Sequence, residues 1–347
     1  MYYTNITSTI LSWYDNNKRE LPWRKSKNPY KIWLSEVMLQ QTQVKTVIPY
    51  YKRWLNEFSS INDVANADLD SLLKVWEGLG YYSRCRNFHK ASKIIVSNYD
   101  GRIPKTYNEF ILLPGVGSYI ASAVLSMAHN VKLPAIDVNL KRVYGRILKL
   151  KNFTKQNINR IEKLGFELVQ CSRPGDLNQA IMDIGSKICL PNNPLCNICP
   201  INQYCKAYSS GSPEMYAINS RNKKTPTKKM ISALIMKNDK FLIEKRSTNG
   251  LLGGLWELPT LEVISLKRDV IKTSIHNNYT QNIKILDKLG STKHRYSHFK
   301  VDVDFYLCKT SEKVKTKNES KWININEFDK YAFSKINHKL ISMVKND

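Results

Sequence analysis

Apolar positions recur every three or four residues through most of the first 208 residues, and strand-like alternation is rare there. This spacing predicts amphipathic helices. Asn28–Pro29 supplies an N-cap residue followed by a first-turn proline, so we expect a helix that begins there and runs to about Thr42. Further helices are predicted over 43–58, 68–77, 83–98, 106–112, 118–129, 139–149, 155–170 and 176–188.

The pattern changes after residue 208. Residues 209–229 are polar, basic and broken by prolines, which indicates a linker. Beyond them lie short β-rich runs, and FKVDVDFYLCK alternates with a period of two. Helical stretches are predicted near 265–276 and 326–345. The sequence therefore predicts a helical domain over 1–208, a linker over 209–229 and an α+β domain over 230–347.

Charge narrows the choice of partner. The 347 residues carry a formal net charge of +25, with a pI of about 9.7. Such a balance suits a polyanion, because neutralised phosphates release counterions, although a general bias toward lysine, asparagine and isoleucine would also produce it. We see no run of about 18 apolar residues that would span a membrane. The N-terminus lacks the features of a signal peptide, so we expect a cytoplasmic protein.

Four of the seven cysteines crowd into one short segment, with the spacing Cys189-x6-Cys196-x2-Cys199-x5-Cys205. In a chain without a signal peptide, this crowding favours a metal site over disulfides. Four thiolates in one loop suit a [4Fe–4S] cluster, and zinc is the competing occupant. The spacing alone leaves the two open.

A glycine-rich turn, LPGVG with Gly115 and Gly117, separates two predicted helices. Glycines let the backbone approach a ligand closely, and the free amides of the following helix can bind a phosphate. A helix–hairpin–helix DNA-binding unit has this pattern. An ordinary helix–helix turn is the alternative.

Two carboxylates stand in different sequence environments. Glu36 lies in a helix that is apolar on nearly all sides, so we expect burial and a raised pKa, or else a salt-bridged position at the rim. Asp137 follows an apolar stretch just before a helix, where it can act as an N-cap and stay ionised. One protonated and one ionised carboxylate are the pair used to break glycosidic bonds.

These features together resemble the endonuclease III superfamily. Three longer motifs are similar to those of adenine DNA glycosylases of the MutY type: LPWR at 21–24, SEVMLQQT at 35–42 and WEGLGYYSR at 76–84. The resemblance covers essentially the whole chain. It implies an all-α helix–hairpin–helix glycosylase domain, made of a six-helix module and a [4Fe–4S] module, followed by an α+β Nudix-like domain that recognises 8-oxoguanine.

The resemblance also implies roles for individual residues. Glu36 would protonate N7 of a flipped adenine and then activate water. Asp137 would stabilise the oxocarbenium-like sugar, either by its charge or through a covalent intermediate. The remaining roles are support of the site by Tyr119 and Asn139, adenine contacts by Trp23, Arg24 and Gln179, and wedging at the lesion by Leu39, Gln41 and Tyr81. Flipping is expected because an acid cannot reach N7 inside the stack.

Three further features of the sequence bear on the comparison with this family. Relatives with lyase activity carry a lysine where this chain has Tyr119, and Schiff-base chemistry requires an amine, so we expect a monofunctional glycosylase. In the second domain Tyr296, Ser297 and His298 stand where the family has the Phe-Ser-His loop that inspects 8-oxoguanine. That domain lacks the glutamate-rich helix of a hydrolase, so we expect it to hydrolyse nothing. The family usually has glycine where Val138 follows Asp137, which puts the placement of Asp137 in question.

The sequence thus predicts an enzyme of base excision repair that removes adenine opposite 8-oxoguanine or guanine. Its expected partner is double-stranded DNA with such a mispair, and we expect a monomer that associates with the nucleoid. An endonuclease III-like glycosylase/lyase for oxidised pyrimidines is the alternative. A non-enzymatic damage binder would not need Glu36 and Asp137, and a nucleotide hydrolase would need the missing acidic helix.

Overall fold

A computed structural model describes residues 2–218 and 225–345. The contacts between Cα atoms divide the chain into two compact units, Met1–Asn66 with Asn87–Asn222 and Ala67–Arg86 with Lys223–Asp347. The predicted linker lies partly outside the described residues, at 219–224. Residues 209–218 form two short 3₁₀ turns and hydrogen-bond back to the helical unit, through Ala217 N–H to Leu150 O and Ile218 N–H to Lys151 O.

The N-terminal two thirds of the chain are helical, as the apolar spacing predicts. The helices are α1 (Tyr2–Asn17), α2 (Pro29–Leu39), α3 (Val44–Glu57), α4 (Ile61–Asn66), α5 (Leu69–Trp76), α6 (Ser83–Asn98), α7 (Tyr107–Phe110), α8 (Ser118–His129), α9 (Val138–Ile147), α10 (Lys155–Leu168) and α11 (Pro174–Lys187). The prediction missed α1 and α4.

Helix α2 begins where the sequence predicts. The Asn28 side chain accepts hydrogen bonds from the backbone N–H groups of Tyr30 and Lys31, and Pro29 occupies the first turn. The helix ends at Leu39 rather than near Thr42, and Gln41 adopts a left-handed conformation with φ of 55°. Every residue from Ile32 to Met38 is buried, so this helix runs through the core of the first unit.

One apolar core joins α1, α9, α10 and α11 of the first unit. Ile6, Ile10 and Tyr14, which are spaced four residues apart on α1, fill it from one side. Asn178 of α11 is fully buried beside this core. Its side chain accepts a hydrogen bond from Ala135 N–H at 3.0 Å and donates to Leu133 O and Ser126 Oγ, both at 2.9 Å. Asn178 therefore fixes the extended segment that leads to Asp137.

The second unit contains a seven-stranded mixed sheet. Its strands are β1 (Thr227–Lys237), β2 (Lys240–Lys245), β3 (Trp256–Glu257), β4 (Thr260–Val263), β5 (Lys284–Arg295), β6 (Lys300–Lys309) and β7 (Ser320–Ile323). The main order is β3-β2-β1-β6-β5, with β4 paired to β1 and β7 paired to β2. Strands β1 and β6 are parallel, and the other pairs are antiparallel.

Helices cover both faces of this sheet. Helix α12 (Arg268–Asn278) contributes to one buried cluster through Ile271 and Ile275, and α13 (Lys335–Lys345) contributes to the other through Leu340 and Ile341. The predicted α+β domain is therefore confirmed as a sheet between helices. Within the described residues, no helix is long and apolar enough to cross a membrane.

Residues 67–86 belong to the sheet-containing unit, although the predicted domain boundaries assign them to the helical domain. The Lys245 ammonium lies 2.8 Å from Asp70 Oδ1, and the Arg86 guanidinium donates to Gly253 O at 2.7 Å. Glu77 Oε1 accepts a hydrogen bond from Phe333 N–H at 2.7 Å. These bonds attach the segment that contains Tyr81, a predicted lesion-recognition residue, to the rest of the second unit.

We predict that Asn178→Ala lowers the free energy of unfolding by about 2–3 kcal/mol, because it leaves the Ala135 amide and the Leu133 carbonyl buried without their partner. Urea unfolding followed by circular dichroism measures the change. Asn16→Ala is the control, since the Asn16 side chain is exposed and bonds only to the backbone of its own helix. An equal effect for the two variants would contradict the structural role of Asn178.

Candidate active site

Glu36 lies in the middle of α2 and is buried, with 3% of its surface exposed. Burial raises the pKa of its carboxyl to about 7, and the negative charge of Asp137 acts in the same direction. A hydrogen bond from Tyr119 and the positive charge of Arg24 oppose this rise in the pKa of Glu36. The expectation of a buried glutamate with a raised pKa is confirmed. Near neutral pH this group can both donate and accept a proton.

Tyr119 lies in the first turn of α8, and its side chain contacts Glu36 directly. Its hydroxyl donates a hydrogen bond of 2.6 Å to Glu36 Oε2. Burial, together with the charges of Glu36 and Asp137, raises the pKa of Tyr119 well above its usual value. The phenol therefore stays protonated and acts as a fixed donor. A short donor bond of this kind also orients the Glu36 carboxyl group.

Asp137 is the N-cap of α9, so its side chain is held at the end of the helix. Its carboxylate accepts a hydrogen bond from Leu140 N–H at 2.7 Å and one from Asn139 Nδ2 at 3.0 Å. Burial nevertheless raises the pKa of Asp137 above its usual value, against these donors and the charge of Arg142. The expected N-cap position of Asp137 is confirmed, and burial is an additional influence on its pKa that the sequence did not reveal.

Val138 fits its position without strain. It is the first residue of α9, its side chain is 65% exposed, and it is not among the residues with positive φ. The Asp137 backbone is extended, with φ of −88° and ψ of −172°, as an N-cap requires. The replacement of glycine by valine therefore leaves the placement of Asp137 intact.

A cavity of about 310 Å³ is lined by the residues predicted to contact adenine, Trp23, Arg24 and Gln179. The Arg24 guanidinium forms two hydrogen bonds with the buried carboxylate of Asp183, at 2.7 and 3.0 Å. Arg19 Nε bonds to the same carboxylate at 2.6 Å. Burial acts to raise the pKa of Asp183, but its bonds to Arg24 and Arg19 outweigh burial and hold the pKa below its usual value.

Asp183 was missed by the sequence reasoning. It fixes Arg24, whose charge acts on Glu36, and it partly neutralises that charge. Its position four residues after Gln179 places both on one face of α11, which is the only signal the sequence offers.

The predicted hairpin separates α7 from α8. Gly115 has a φ of 79°, and a Cβ there would lie 2.8 Å from Asn87 Cβ, so this position requires glycine. Gly117 is the N-cap of α8 and has open space where a Cβ would stand. Both glycines are exposed. The turn therefore presents backbone amides to solvent, as an anion-binding hairpin requires.

The four clustered cysteines line one cavity after α11. Among the described residues, no three histidine, cysteine or acidic side chains converge as they would on a single metal ion. A four-iron cluster binds each thiolate to a different iron, so its ligands surround a space instead of meeting at a point. The Arg146 guanidinium donates to Cys189 Sγ at 3.3 Å. Four thiols around one cavity are the kind of donor set that an iron–sulfur cluster uses.

A chain of hydrogen bonds that the sequence did not reveal joins Asp137 to this loop. Asn139, bonded to Asp137, accepts a hydrogen bond of 3.0 Å from Arg142 Nη2. Arg142 also donates to Gly185 O and Cys189 O, both at 2.7 Å. The spacing of Asn139 and Arg142 on α9 puts them on one helix face, but the two carbonyl groups that Arg142 binds lie more than 40 residues away.

Leu39 and Gln41, the predicted wedge residues of the first unit, flank the end of α2. Leu39 is the last residue of the helix and is half-buried, and Gln41 is exposed. The left-handed conformation of Gln41 turns the chain sharply after the helix. Both residues follow Glu36 within five positions, so one helix end positions the acid and the wedge.

Tyr81, the third predicted wedge residue, belongs to the second unit. Its backbone is left-handed, with φ of 47°, and its hydroxyl is 2.8 Å from Ser297 Oγ. Tyr296 packs against Phe299 with the ring centroids 5.1 Å apart, and His298 is exposed. Two residues that the sequence predicts to recognise the lesion, and that are over 200 positions apart, are thus hydrogen-bonded to each other.

Arg84 supports the Tyr81 loop and was also missed. Its buried guanidinium donates to Gly80 O at 3.0 Å and lies 5.4 and 5.3 Å from the ring centroids of Trp76 and Tyr81. A non-glycine residue at positive φ is disfavoured unless its surroundings hold it there. Arg84, together with Trp76, whose indole N–H also donates to Gly80 O at 3.0 Å, therefore supports the conformation of Tyr81.

Comparison with known proteins agrees with this arrangement. The model of the HhH-GPD superfamily base excision DNA repair proteins matches residues 34–166, and that of the NUDIX domain matches 231–343. A thermostable thymine-DNA glycosylase superimposes with a TM-score of 0.54 and 26% identity over 60% of this chain and 97% of its own. An endonuclease III–DNA complex, at 22% identity and a TM-score of 0.51, shares the fold. Fold and site define a base-excision DNA glycosylase.

The curated relatives narrow this class. The adenine DNA glycosylase of Buchnera aphidicola subsp. Baizongia pistaciae is 37% identical over 92% of this chain and 90% of its own length. That of Buchnera aphidicola subsp. Schizaphis graminum is 33% identical over 98% and 99%, and that of Homo sapiens is 30% identical over 87% and 66%. The chain belongs to the adenine DNA glycosylases, hydrolases of N-glycosyl bonds.

We predict that Glu36→Gln stabilises the fold above pH 7 and has no such effect at pH 4.5. The folded-state pKa of about 7 lies above the ordinary glutamate value of 4.5, so the wild type loses stability as pH rises between these values. Glutamine does not titrate, and the gain should reach about 3 kcal/mol at pH 8. Urea unfolding at a series of pH values measures it. A stability difference that stays constant with pH would show that Glu36 has no raised pKa.

Proposed function

We propose that this adenine DNA glycosylase removes adenine paired with 8-oxoguanine or guanine and leaves the DNA strand intact. The observation that carries this proposal is the buried Glu36 with its raised pKa, hydrogen-bonded to Tyr119 and influenced by the charge of Asp137. Such a pair of carboxylates supplies an acid and a charge stabiliser for glycosidic cleavage.

The reaction begins with the flipping of adenine out of the helix, since N7 is inaccessible in the stack. Glu36 protonates N7 and so makes adenine a better leaving group. Asp137, held by Leu140 N–H and Asn139, stabilises the positive charge that develops on the sugar, by its charge or through a covalent intermediate. Glu36, now ionised, accepts a proton from the attacking water. Trp23, Arg24 and Gln179, which line one cavity, hold the base.

Tyr119 supports a monofunctional reaction. A lyase step requires an amine to form a Schiff base, and a phenol at this position cannot supply one. Its hydroxyl is already engaged with Glu36. Tyr119 therefore disfavours the alternative of a glycosylase/lyase for oxidised pyrimidines, and the relatives that match nearly the whole chain bear the name adenine DNA glycosylase.

The second unit supplies recognition of the opposite base in this proposal. The hydrogen bond between Tyr81 and Ser297 joins the wedge to the Tyr296–His298 loop, where 8-oxoguanine would be inspected. Helix α12 holds one acidic residue, Asp269, and lacks the glutamates that a metal-dependent hydrolase needs. We therefore assign this unit no hydrolysis of its own. Leu39 and Gln41 contribute the remaining contacts at the lesion.

We further propose that Cys189, Cys196, Cys199 and Cys205 hold a [4Fe–4S] cluster. Their shared cavity and the N–H donor of Arg146 at Cys189 are the supporting observations. When bound, the cluster supplies four iron–thiolate bonds that cross-link residues 189–205. Arg142 then transmits the position of this loop to Asn139, beside Asp137.

The backbone amides at Gly115 and Gly117 bind a DNA phosphate in this proposal. The enzyme acts as a monomer on nucleoid DNA in the cytoplasm.

A duplex with a single A·8-oxoguanine pair tests the reaction, with A·G and A·T duplexes beside it. We expect strand cleavage at the adenine position only after alkali, faster for A·8-oxoguanine and A·G than for A·T. Glu36→Gln should slow excision by at least about 10²-fold under single-turnover conditions, because proton transfer by the acid is lost. The matched control is Glu57→Gln, at an exposed glutamate of α3.

Cleavage without alkali would contradict the monofunctional proposal. Equal rates for A·T and the two mispairs would contradict recognition of the opposite base. Excision by Glu36→Gln at the rate of the control variant would contradict the assignment of the acid. An iron–sulfur cluster colours the protein, whereas zinc does not, so the absorbance spectrum of the purified protein tests the cofactor independently of activity.

A further inference from the structure

Four cations share one face of the sheet at the end of the β5–β6 hairpin. Arg295 and Lys300 stand directly opposite each other across the antiparallel pair, and Lys293 is the next residue of β5 on the same face. Lys229 of β1 lies beside Asp302, which in turn stands opposite Lys293. All four side chains are exposed. We call Lys229, Lys293, Arg295 and Lys300 the hairpin patch.

The hairpin patch is not neutralised by the protein. Within the described residues no ion pair is formed by its four members, and Asp302 is the one acidic residue in their rows. Other lysines of the same strands are paired where an acid is available: Lys228 with Glu262 and Lys288 with Asp304, each at 2.7 Å. Like charges directly opposite on neighbouring strands destabilise a sheet. The uncompensated charge therefore suits an anionic partner.

The position of the hairpin patch indicates which anionic partner it binds. The turn that joins β5 to β6 contains Tyr296 and Ser297, and Ser297 is hydrogen-bonded to Tyr81. Lys293 and Arg295 share one face of β5, and Ser297 follows Arg295 by two residues in the turn. A surface that recognises a base at Ser297 brings the phosphates next to that base close to Arg295. Nearby phosphates are thus within reach of the patch whenever the loop engages DNA.

We propose that the hairpin patch is a phosphate-contacting surface of the second unit, which binds the DNA backbone beside the inspected base. The two-residue repeat of a strand is about 6.8 Å, the axial rise of two nucleotides on one DNA strand, so Lys293 and Arg295 can face separate phosphates. The proposal rests on the membership of the chain in the DNA glycosylases and does not depend on which base is read opposite adenine.

The same two strands provide a matched control. At their far end Lys284 and Lys309 also stand directly opposite each other, and both are exposed. The two like-charged pairs are separated by eleven residues of β5, or about 36 Å. Arg295→Gln/Lys300→Gln and Lys284→Gln/Lys309→Gln therefore remove the same charge from the same hairpin at different places.

Binding of each full-length protein to a duplex with an uncleavable tetrahydrofuran abasic analogue opposite guanine is measured over a range of salt concentrations. Arg295→Gln/Lys300→Gln should reduce the steepness of log K against log salt by up to about 1.8, since two phosphate contacts are lost. At about 0.1 M salt its affinity should fall by about 10- to 100-fold. Lys284→Gln/Lys309→Gln should keep the wild-type slope.

Equal changes of slope in the two double variants would overturn the proposal, because net charge and not position would then explain binding. A wild-type slope in Arg295→Gln/Lys300→Gln would overturn it as well. Thermal unfolding of both variants serves as the folding control. Removal of a like-charged pair should leave Tm unchanged or raise it. If the wild type failed to excise adenine from an A·8-oxoguanine duplex, the proposed function would be contradicted. The salt slopes would still test the hairpin patch, because they measure binding to a duplex that is not cleaved.

Discussion

The burial of the Glu36 carboxyl group is the constraint on which the site depends. A charge in this position is costly, so the group keeps its proton to a pH near neutrality, and that makes it an acid. Two neighbours favour this protonated state, because Asp137 adds a repelling charge and Asp183 ties up the guanidinium of Arg24. The hydrogen bond from Tyr119 acts in the opposite direction, lowering the pKa of Glu36 while it orients the carboxyl group. Removal of Asp183 would leave Arg24 free to favour the ionised form of the acid.

A second requirement is that Asp137 be held without being neutralised. The end of α9 and Asn139 provide donors to its carboxylate, and Arg142 reaches Asn139 instead of Asp137 itself. Because Arg142 also bonds to Gly185 O and Cys189 O, the same side chain fixes the start of the cysteine loop. The cysteine loop and the residue that orients the Asp137 carboxylate therefore share one support, the Arg142 side chain.

Local patterns predicted the parts of this structure that local chemistry determines. Asn28–Pro29 begins α2, the apolar surroundings of Glu36 bury it, and the glycines of the hairpin occupy a tight turn. The supports were missed because their partners are distant in sequence: Asp183 lies more than 150 residues from Arg24, and Tyr81 lies over 200 from Ser297. For the same reason residues 67–86 were expected in the helical domain, although they pack with the sheet. Only the three-dimensional structure shows that burial influences the pKa of Asp137 more than the end of the helix does.

The most direct measurement is the pH dependence of adenine excision in single turnover, for the wild type and Tyr119→Phe. If protonated Glu36 is the acid, the wild-type rate falls as pH rises through about 7. Loss of the Tyr119 hydrogen bond, which lowers the pKa of Glu36, should move this fall to higher pH in the variant. A fall that stays in place in Tyr119→Phe, or that moves to lower pH, would contradict the account of Glu36 as an acid tuned by its buried surroundings.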